Sequence, residues 1–190
     1  MKALIIHGNT RNQSNTEKLA KLFAEELSTK GADVVQISLK SKDVRTCIGC
    51  DVCHSVLDSF GCAKNDDMQE IAKEILASDL IVFTSPIYTW MPTPPQKAVM
   101  DRFFAFTKYP KNAEMFNMLS KQKLAMIATS GDDTEEACDL FDESVRRMAK
   151  FAKLEYLGYL AAKDNGDGNI ARPEVVEETR TFAETCIEAF

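Results

Sequence analysis

Apolar runs of strand length alternate with stretches of helical periodicity along the whole chain. Lys2 to His7 is almost continuously apolar, as a strand covered on both faces must be, and the pattern points to a parallel sheet flanked by helices. After a polar loop, Leu19, Leu22, Phe23 and Leu27 recur at helical spacing, which predicts a helix closed by Gly31. Val34 to Leu39 is the second strand. A helix from about Asp66 to Ala77 follows, with Met68, Ile71, Ile75 and Leu76 on its inner face. Leu80 to Thr84 is the third strand, Leu124 to Thr129 the fourth and Glu155 to Ala162 the fifth, with helices expected over Thr134 to Phe151 and Glu174 to Phe190. Ser85 to Pro95 holds four prolines and is not expected to be regular throughout, while Pro94 or Pro95 opens a helix that Ala98, Val99, Phe103 and Phe104 continue.

Five βα units of this kind make one doubly wound α/β domain over residues 1–190, a five-stranded parallel sheet with helices on both faces. No internal repeat or low-complexity linker divides it. Asp164 to Asn169 reads as a turn, because its acidic residues and glycines do not stand in the order an EF-hand loop needs. Against 23 Lys and Arg stand 29 Asp and Glu, a net charge of -6 that repels polyanions, so neither nucleic acid nor an anionic membrane is an expected partner. The N-terminal apolar run is too short for a secretory signal, and no stretch reaches the ~18 to 20 apolar residues that span a bilayer. A cytoplasmic location is expected.

Ligands of open parallel sheets bind beyond the carboxyl ends of the strands. The loop after strand one, Gly8 to Thr16, carries side-chain donors immediately ahead of a helix. With the free amides and dipole of that helix, Asn9, Arg11, Ser14, Asn15 and Thr16 suit a phosphate monoester. A plain capping box of Ser14 with Glu17 is the competing reading. Neither a Rossmann Gly-x-Gly-x-x-Gly nor a Walker loop is present. After strand three, Pro86, Ile87, Tyr88, Thr89 and Trp90 offer a proline-stiffened aromatic segment for a flat ring. After strand four, Ser130 and Gly131 add a small donor and a close backbone approach.

Four of the six cysteines, Cys47, Cys50, Cys53 and Cys62, fall within sixteen residues. Thiolates with two residues between successive ligands suit a 4Fe-4S cluster wrapped by a tight loop. Zinc, a reversible disulfide such as Cys47 with Cys50, and free thiols are the alternatives. Cys138 and Cys186 lie on expected helices and read as small core residues.

With these residues in place, the chain resembles the flavodoxin-like NAD(P)H-dependent FMN reductases, and within them the iron-sulfur flavoprotein branch. Gly8, Arg11, Asn15 and Thr16 match a family loop of the form Gly-Ser-Pro-Arg-x-x-Gly-Asn-Thr, while Asn9, Thr10 and Ser14 depart from it. Ser85-Pro86-Ile87-Tyr88, then Lys97 and Asp101-Arg102, and Asp66-Asp67-Met68 after the cysteines, extend the resemblance over almost the whole chain. Cys62 stands further from Cys53 than the fourth cysteine of that branch usually does. The resemblance implies a flavodoxin-like sheet of order 2-1-3-4-5. It implies FMN with its phosphate in the first loop and its ring against Pro86 to Trp90 and Ser130-Gly131. It also implies an NAD(P)H donor, a small-molecule or protein acceptor, and a homodimer or homotetramer. Hydride passes directly between nicotinamide and flavin, so no residue is assigned as catalytic, and His7 and His54 read as structural or exposed. The readings to be separated from this one are an electron carrier or redox sensor without nicotinamide turnover, and a phosphate-binding module with no flavin.

Overall fold

In the computed structural model, which describes residues 1–166 and 170–190, every apolar run of strand length joins one sheet. The chain runs β1 (Lys2–His7), α1 (Asn15–Thr29), β2 (Asp33–Ser38), α2 (Val52–Ser55), α3 (Met68–Ala77), β3 (Leu80–Tyr88), β4 (Met91–Pro92), α4 (Pro94–Arg102), β5 (Thr107–Lys108), β6 (Phe116–Asn117), β7 (Lys123–Ser130), α5 (Thr134–Ala152), β8 (Glu155–Lys163) and α6 (Pro173–Glu188). Short 3-10 turns follow β2 and α4. Five parallel strands lie in the order β2-β1-β3-β7-β8, the doubly wound, flavodoxin-like arrangement expected. β1, β3 and β7 are buried along almost their whole length, whereas the edge strand β2 alternates between half-buried and exposed positions. That contrast follows from position, since a central strand is covered on both faces and an edge strand is not.

Helices cover both faces. α1 and α6 lay Leu19, Phe23, Leu27, Val175 and Ala183 over Ile5, Val82 and Ile127. On the other face α3, α4 and α5 bring Ile71, Ile75, Val99, Phe141 and Val145 against Leu4, Ile6, Phe83 and Met126. Each fully buried Leu, Ile, Val or Phe contributes about 1.5–3 kcal/mol of transfer free energy, so the two layers hold the strand ends, and the loops beyond them, in fixed relation.

Ser85 to Pro95 is not regular throughout, as expected, but more of it is extended than its four prolines suggest. β3 runs on through Pro86 to Tyr88, and β4 returns antiparallel, with Ile87 opposite Pro92 and Tyr88 opposite Met91. Proline keeps an extended φ and forfeits only one donor, so it is tolerated where a ladder ends. The turn between these strands places Thr89 (φ 51°) and Trp90 (φ 61°) in the left-handed region that a two-residue hairpin requires. The short β5–β6 ribbon was also not anticipated. α3 starts at Met68 rather than Asp66, because both aspartates are drawn backward: Asp66 Oδ2 accepts from the Arg45 amide (3.0 Å) and Asp67 Oδ2 from the Asp43 amide (2.8 Å). α4 ends at Arg102, and Phe103 and Phe104 continue in the 3-10 turn.

In the loop after β8, the Gly166 amide donates to Asp164 Oδ1 (2.9 Å), the start of the expected turn, whose remaining residues lie outside the described ones. Among the described residues no helix is long and apolar enough to cross a membrane.

Candidate functional site

Beyond the carboxyl ends of β1, β3 and β7 lies a cleft of about 330 Å³. The sheet order explains its place: β1 and β3 are neighbours whose connections leave toward opposite faces, and a crevice opens where the winding reverses. Arg11, Ser14, Asn15 and Thr16 line one wall, Pro86, Ile87 and Tyr88 another, and Ser130 and Gly131 a third. The structure thus brings together nine of the twelve residues expected from the first, third and fourth loops. It does not bring in Asn9, Thr89 or Trp90 as lining groups.

Asn9 has a different task. It is buried, and its Nδ2 donates to Arg11 O (2.8 Å) and Glu17 Oε2 (3.3 Å), which folds the loop back onto α1. Thr89 and Trp90 form the exposed tip of the β3–β4 hairpin. Ser14 caps α1, its Oγ accepting from the Glu17 amide (3.1 Å). Glu17 turns instead to Lys21 (2.8 Å), whose bond holds its carboxyl below the usual glutamate value, so only half of a capping box forms. Capping consumes a single hydroxyl, and Arg11, Asn15 and Thr16 line the cleft beside it.

The root of this loop is clamped from two sides. The Gly8 amide donates to Thr84 O (2.8 Å), and Thr93 Oγ1 donates to Gly8 O (2.6 Å). A Cβ at Gly8 would lie 2.7 Å from both Thr84 O and Gln96 Cβ, so only glycine fits between β3 and α4. Thr16 Oγ1 and Thr129 Oγ1 share a buried hydrogen bond of 2.5 Å, tying the first turn of α1 to the end of β7. Thr129, Asp164 and Gly166 also line the cleft and were not among the residues assigned to it from sequence. Thr129 is the last residue of the predicted fourth strand and falls under the strand-end rule. Asp164 arrives because its amide donates to Ser130 O (2.7 Å), a contact with no sequence signal.

The cysteine loop runs between β2 and α3. Its root is closed by Asp66, whose side chain is fully buried and pairs with Arg102 Nη1 at 2.5 Å. Burial opposes ionisation of Asp66, but the Arg102 guanidinium and the Arg45 and Met68 amides together hold its carboxyl below the ordinary aspartate value. Gln69 Nε2 donates to Cys62 O (2.9 Å) and Lys64 O (2.7 Å), and Lys108 Nζ to Cys53 O (3.0 Å) and Phe60 O (3.2 Å). All six cysteines are unpaired. Cys47, Cys50, Cys53 and Cys62 all line one small cavity of about 80 Å³, together with Arg102 and Phe104. Among the described residues no three ligand-type side chains are gathered closely enough to hold a metal ion as they stand. The Cys53 thiol is pushed up by burial and by the neighbouring Cys62, against the pull of Lys108. Cys138 and Cys186 are core residues as expected, their thiols raised by burial to about 11 and about 12.

His54 is buried with Nδ1 on Thr107 O (2.6 Å) and its ring against Phe104 and Tyr109, and His7 bonds Gln36 (2.9 Å). Both are structural here. Lys97 and Asp101 form an ion pair of 2.5 Å along α4.

Comparison with known proteins agrees with this layout. The chain is 31% identical over 110 residues to an iron-sulfur flavoprotein of Archaeoglobus fulgidus, covering 58% of this chain and 49% of that protein. It spans about half the length of the curated iron-sulfur flavoproteins it matches. YwqN of Bacillus subtilis, provisionally named an NAD(P)H-dependent FMN-containing oxidoreductase, is 25% identical over 172 residues and covers 90% of each chain. The solved structure of an NAD(P)H:quinone oxidoreductase from Methanothermobacter marburgensis superposes with a TM-score of 0.73 at 16% identity, over 96% of this chain and 97% of that one, and shares the fold. Residues 1–139 match the family model described as NADPH-dependent FMN reductase, and the chain belongs to that family.

Proposed function

We propose that this protein binds FMN in the cleft beyond β1, β3 and β7 and moves electrons from NAD(P)H to a flavin, quinone or other acceptor. The observation that carries this reading is convergence: the donors at the N-terminus of α1, the Pro86–Tyr88 segment and the Ser130–Gly131 turn all face one cleft. Arg11 and the free amides of α1 suit a phosphate, with Ser14, Asn15 and Thr16 as neutral donors around it. Pro86, Ile87 and Tyr88 provide a stiff apolar wall for a ring, and Ser130 and Gly131 a polar edge. FMN, when bound, supplies the hydride and electron chemistry, and the chain's part is to hold and orient it.

Purified protein tests this directly. A yellow flavin spectrum or uptake of added FMN, with steady NAD(P)H oxidation in the presence of a quinone, is the expected result. A colourless protein that fails to take up FMN overturns the reading in favour of a phosphate-binding module. Flavin binding without nicotinamide turnover favours the electron carrier or redox sensor.

A second reading concerns the cysteines, and the shared cavity favours it: Cys47, Cys50, Cys53 and Cys62 face one space although eight residues separate Cys62 from Cys53. These four residues suit a 4Fe-4S cluster, which when bound supplies a one-electron relay. We also propose a homodimer or homotetramer, since the hairpin tip presents Tyr88 and Trp90 to solvent, and a cytoplasmic location, which six unpaired thiols suit. Light scattering of the purified protein tests the assembly.

A further inference from the structure

Lys108 is completely buried, yet among the described residues its ammonium bonds only neutral oxygens, the carbonyls of Cys53 and Phe60. A buried ammonium without an anionic partner is unfavourable, so its retention asks for a negative charge nearby. Arg102, also buried, spends Nη1 on Asp66 and Arg45 O, while its Nε and Nη2 have no hydrogen-bond partner among the described residues. That guanidinium lines the cavity of the four cysteines. The Gly49 amide, also at this cavity, donates to Cys47 Sγ (3.4 Å). Arg102 and an amide-to-sulfur bond thus border a cavity lined by sulfur, and Lys108 stands behind it, bonded to the carbonyl of Cys53.

Four thiolates around a dicationic iron-sulfur core make a dianion, and burying it requires counter-charge and N–H donors to the sulfurs. We propose that Lys108 supplies the buried counter-charge and Arg102 the hydrogen-bond donors for an anionic iron-sulfur group held by Cys47, Cys50, Cys53 and Cys62. This rests on the second reading of the cysteine cavity given above. Both are positioning residues that act on the group's charge and leave ligation to the sulfurs. The charge of Arg102 is largely matched by Asp66, which leaves Lys108 as the main compensating cation. One-electron reduction takes the dianion to a trianion, and a fixed positive charge nearby favours that step.

The test compares the wild type with Lys108→Met, Lys108→Arg and Arg102→Lys, each loaded anaerobically with equal parts of ferrous and ferric iron and with sulfide, the mixture that a dicationic core contains. Iron and sulfide per chain are assayed first. The midpoint potential is then read by electron paramagnetic resonance, with mediators poised by dithionite as the electron source. Lys108→Met is expected to lower the reduced-to-oxidised ratio about tenfold at fixed potential, a shift of about 59 mV, while Lys108→Arg stays near the wild type. In iron-free protein the order reverses: Lys108→Met unfolds at higher urea than the wild type, because the uncompensated charge is gone. If Lys108→Met does not fold, Arg102→Lys, which keeps the charge facing Asp66 but reduces the donors, is expected to lower the ratio by a smaller factor. A wild type that takes up no iron overturns the cluster reading and this proposal together. A loaded wild type whose potential is matched by both Lys108→Met and Arg102→Lys overturns this proposal alone.

Discussion

At the cleft beyond β1, β3 and β7, polar groups come from strand ends, a helix N-terminus and small hydroxyls, all held by the sheet and its two helical layers. At the cysteine cavity they come from two long cations, Arg102 and Lys108, that reach in from later in the chain beneath an irregular loop. The difference lies in what the fold supplies without ligand. Strand ends and amides are in place once the sheet forms, so deleting a cleft side chain removes ligand contacts and spares stability. The cysteine loop has little apolar cover of its own, with Ile48, Val52 and Leu57 exposed, and it depends on ion pairs and side-chain bonds to carbonyls. Removal of Arg102, which faces the buried Asp66, should cost stability first.

Arg102→Ala is the most severe way to probe this. It leaves the buried Asp66 carboxylate without its cation and should destabilise the protein by about 3–5 kcal/mol in urea unfolding. A loss below about 1 kcal/mol would show that the loop does not hang on this pair. Gly8→Ala attacks the comparison from the other side, since it is the place where cleft and core share atoms. Its Cβ would meet backbone on β3 and the Gln96 side chain on α4, so a loss of about 1–3 kcal/mol in stability is expected together with weakened FMN uptake. Arg11→Ala returns to the rule. This exposed side chain should cost about 1.5–3 kcal/mol of FMN affinity, read by flavin fluorescence, while unfolding stays within about 0.5 kcal/mol of the wild type. Unchanged affinity would remove Arg11 from the phosphate site.

The two regions also differ in how far they were legible in the sequence. The five strands and their helices follow from apolar periodicity, and the strand-end rule then points to loops that meet at one cleft, so the convergence of Arg11, Ser14 to Thr16, Pro86 to Tyr88 and Ser130–Gly131 was legible. The inward turn of Asn9 was not, because a polar side chain in such a loop looks alike in sequence whether it faces the cleft or folds the loop. Four prolines concealed the β3–β4 hairpin, since extended proline at a ladder's end leaves no periodic trace. At the cysteine cavity the sulfurs were plain and their surroundings were not. Arg102 entered only as part of a family motif, and Lys108 not at all, because long-range burial of a cation has no local pattern.

Acid separates the regions by the order in which they fail, the mildest of these effects. His7 sits at the end of β1, at the root of the first loop, buried and bonded through Nε2 to Gln36. Burial lowers its pKa below the ordinary 6.5, against the Gln36 bond and the charge of Glu17, with Lys21 adding to the lowering. The folded state therefore keeps the ring neutral where the unfolded chain takes up a proton. Its contribution is intact above about 6.5 and is lost as pH falls from there through the folded value. The depressed carboxyl of Asp66 behaves alike in sign but in another window, its contribution intact above about 3.8 and lost as pH falls through a still lower value. Urea unfolding from pH 7.5 to 3 should then show a first decline beginning near 6.5 that His7→Gln flattens, and a second below about 4 that it leaves alone. A first decline unaltered by His7→Gln would mean that the root of the cleft is held by the Gly8 and Thr93 bonds alone, and that its dependence on backbone is more complete than the histidine suggests.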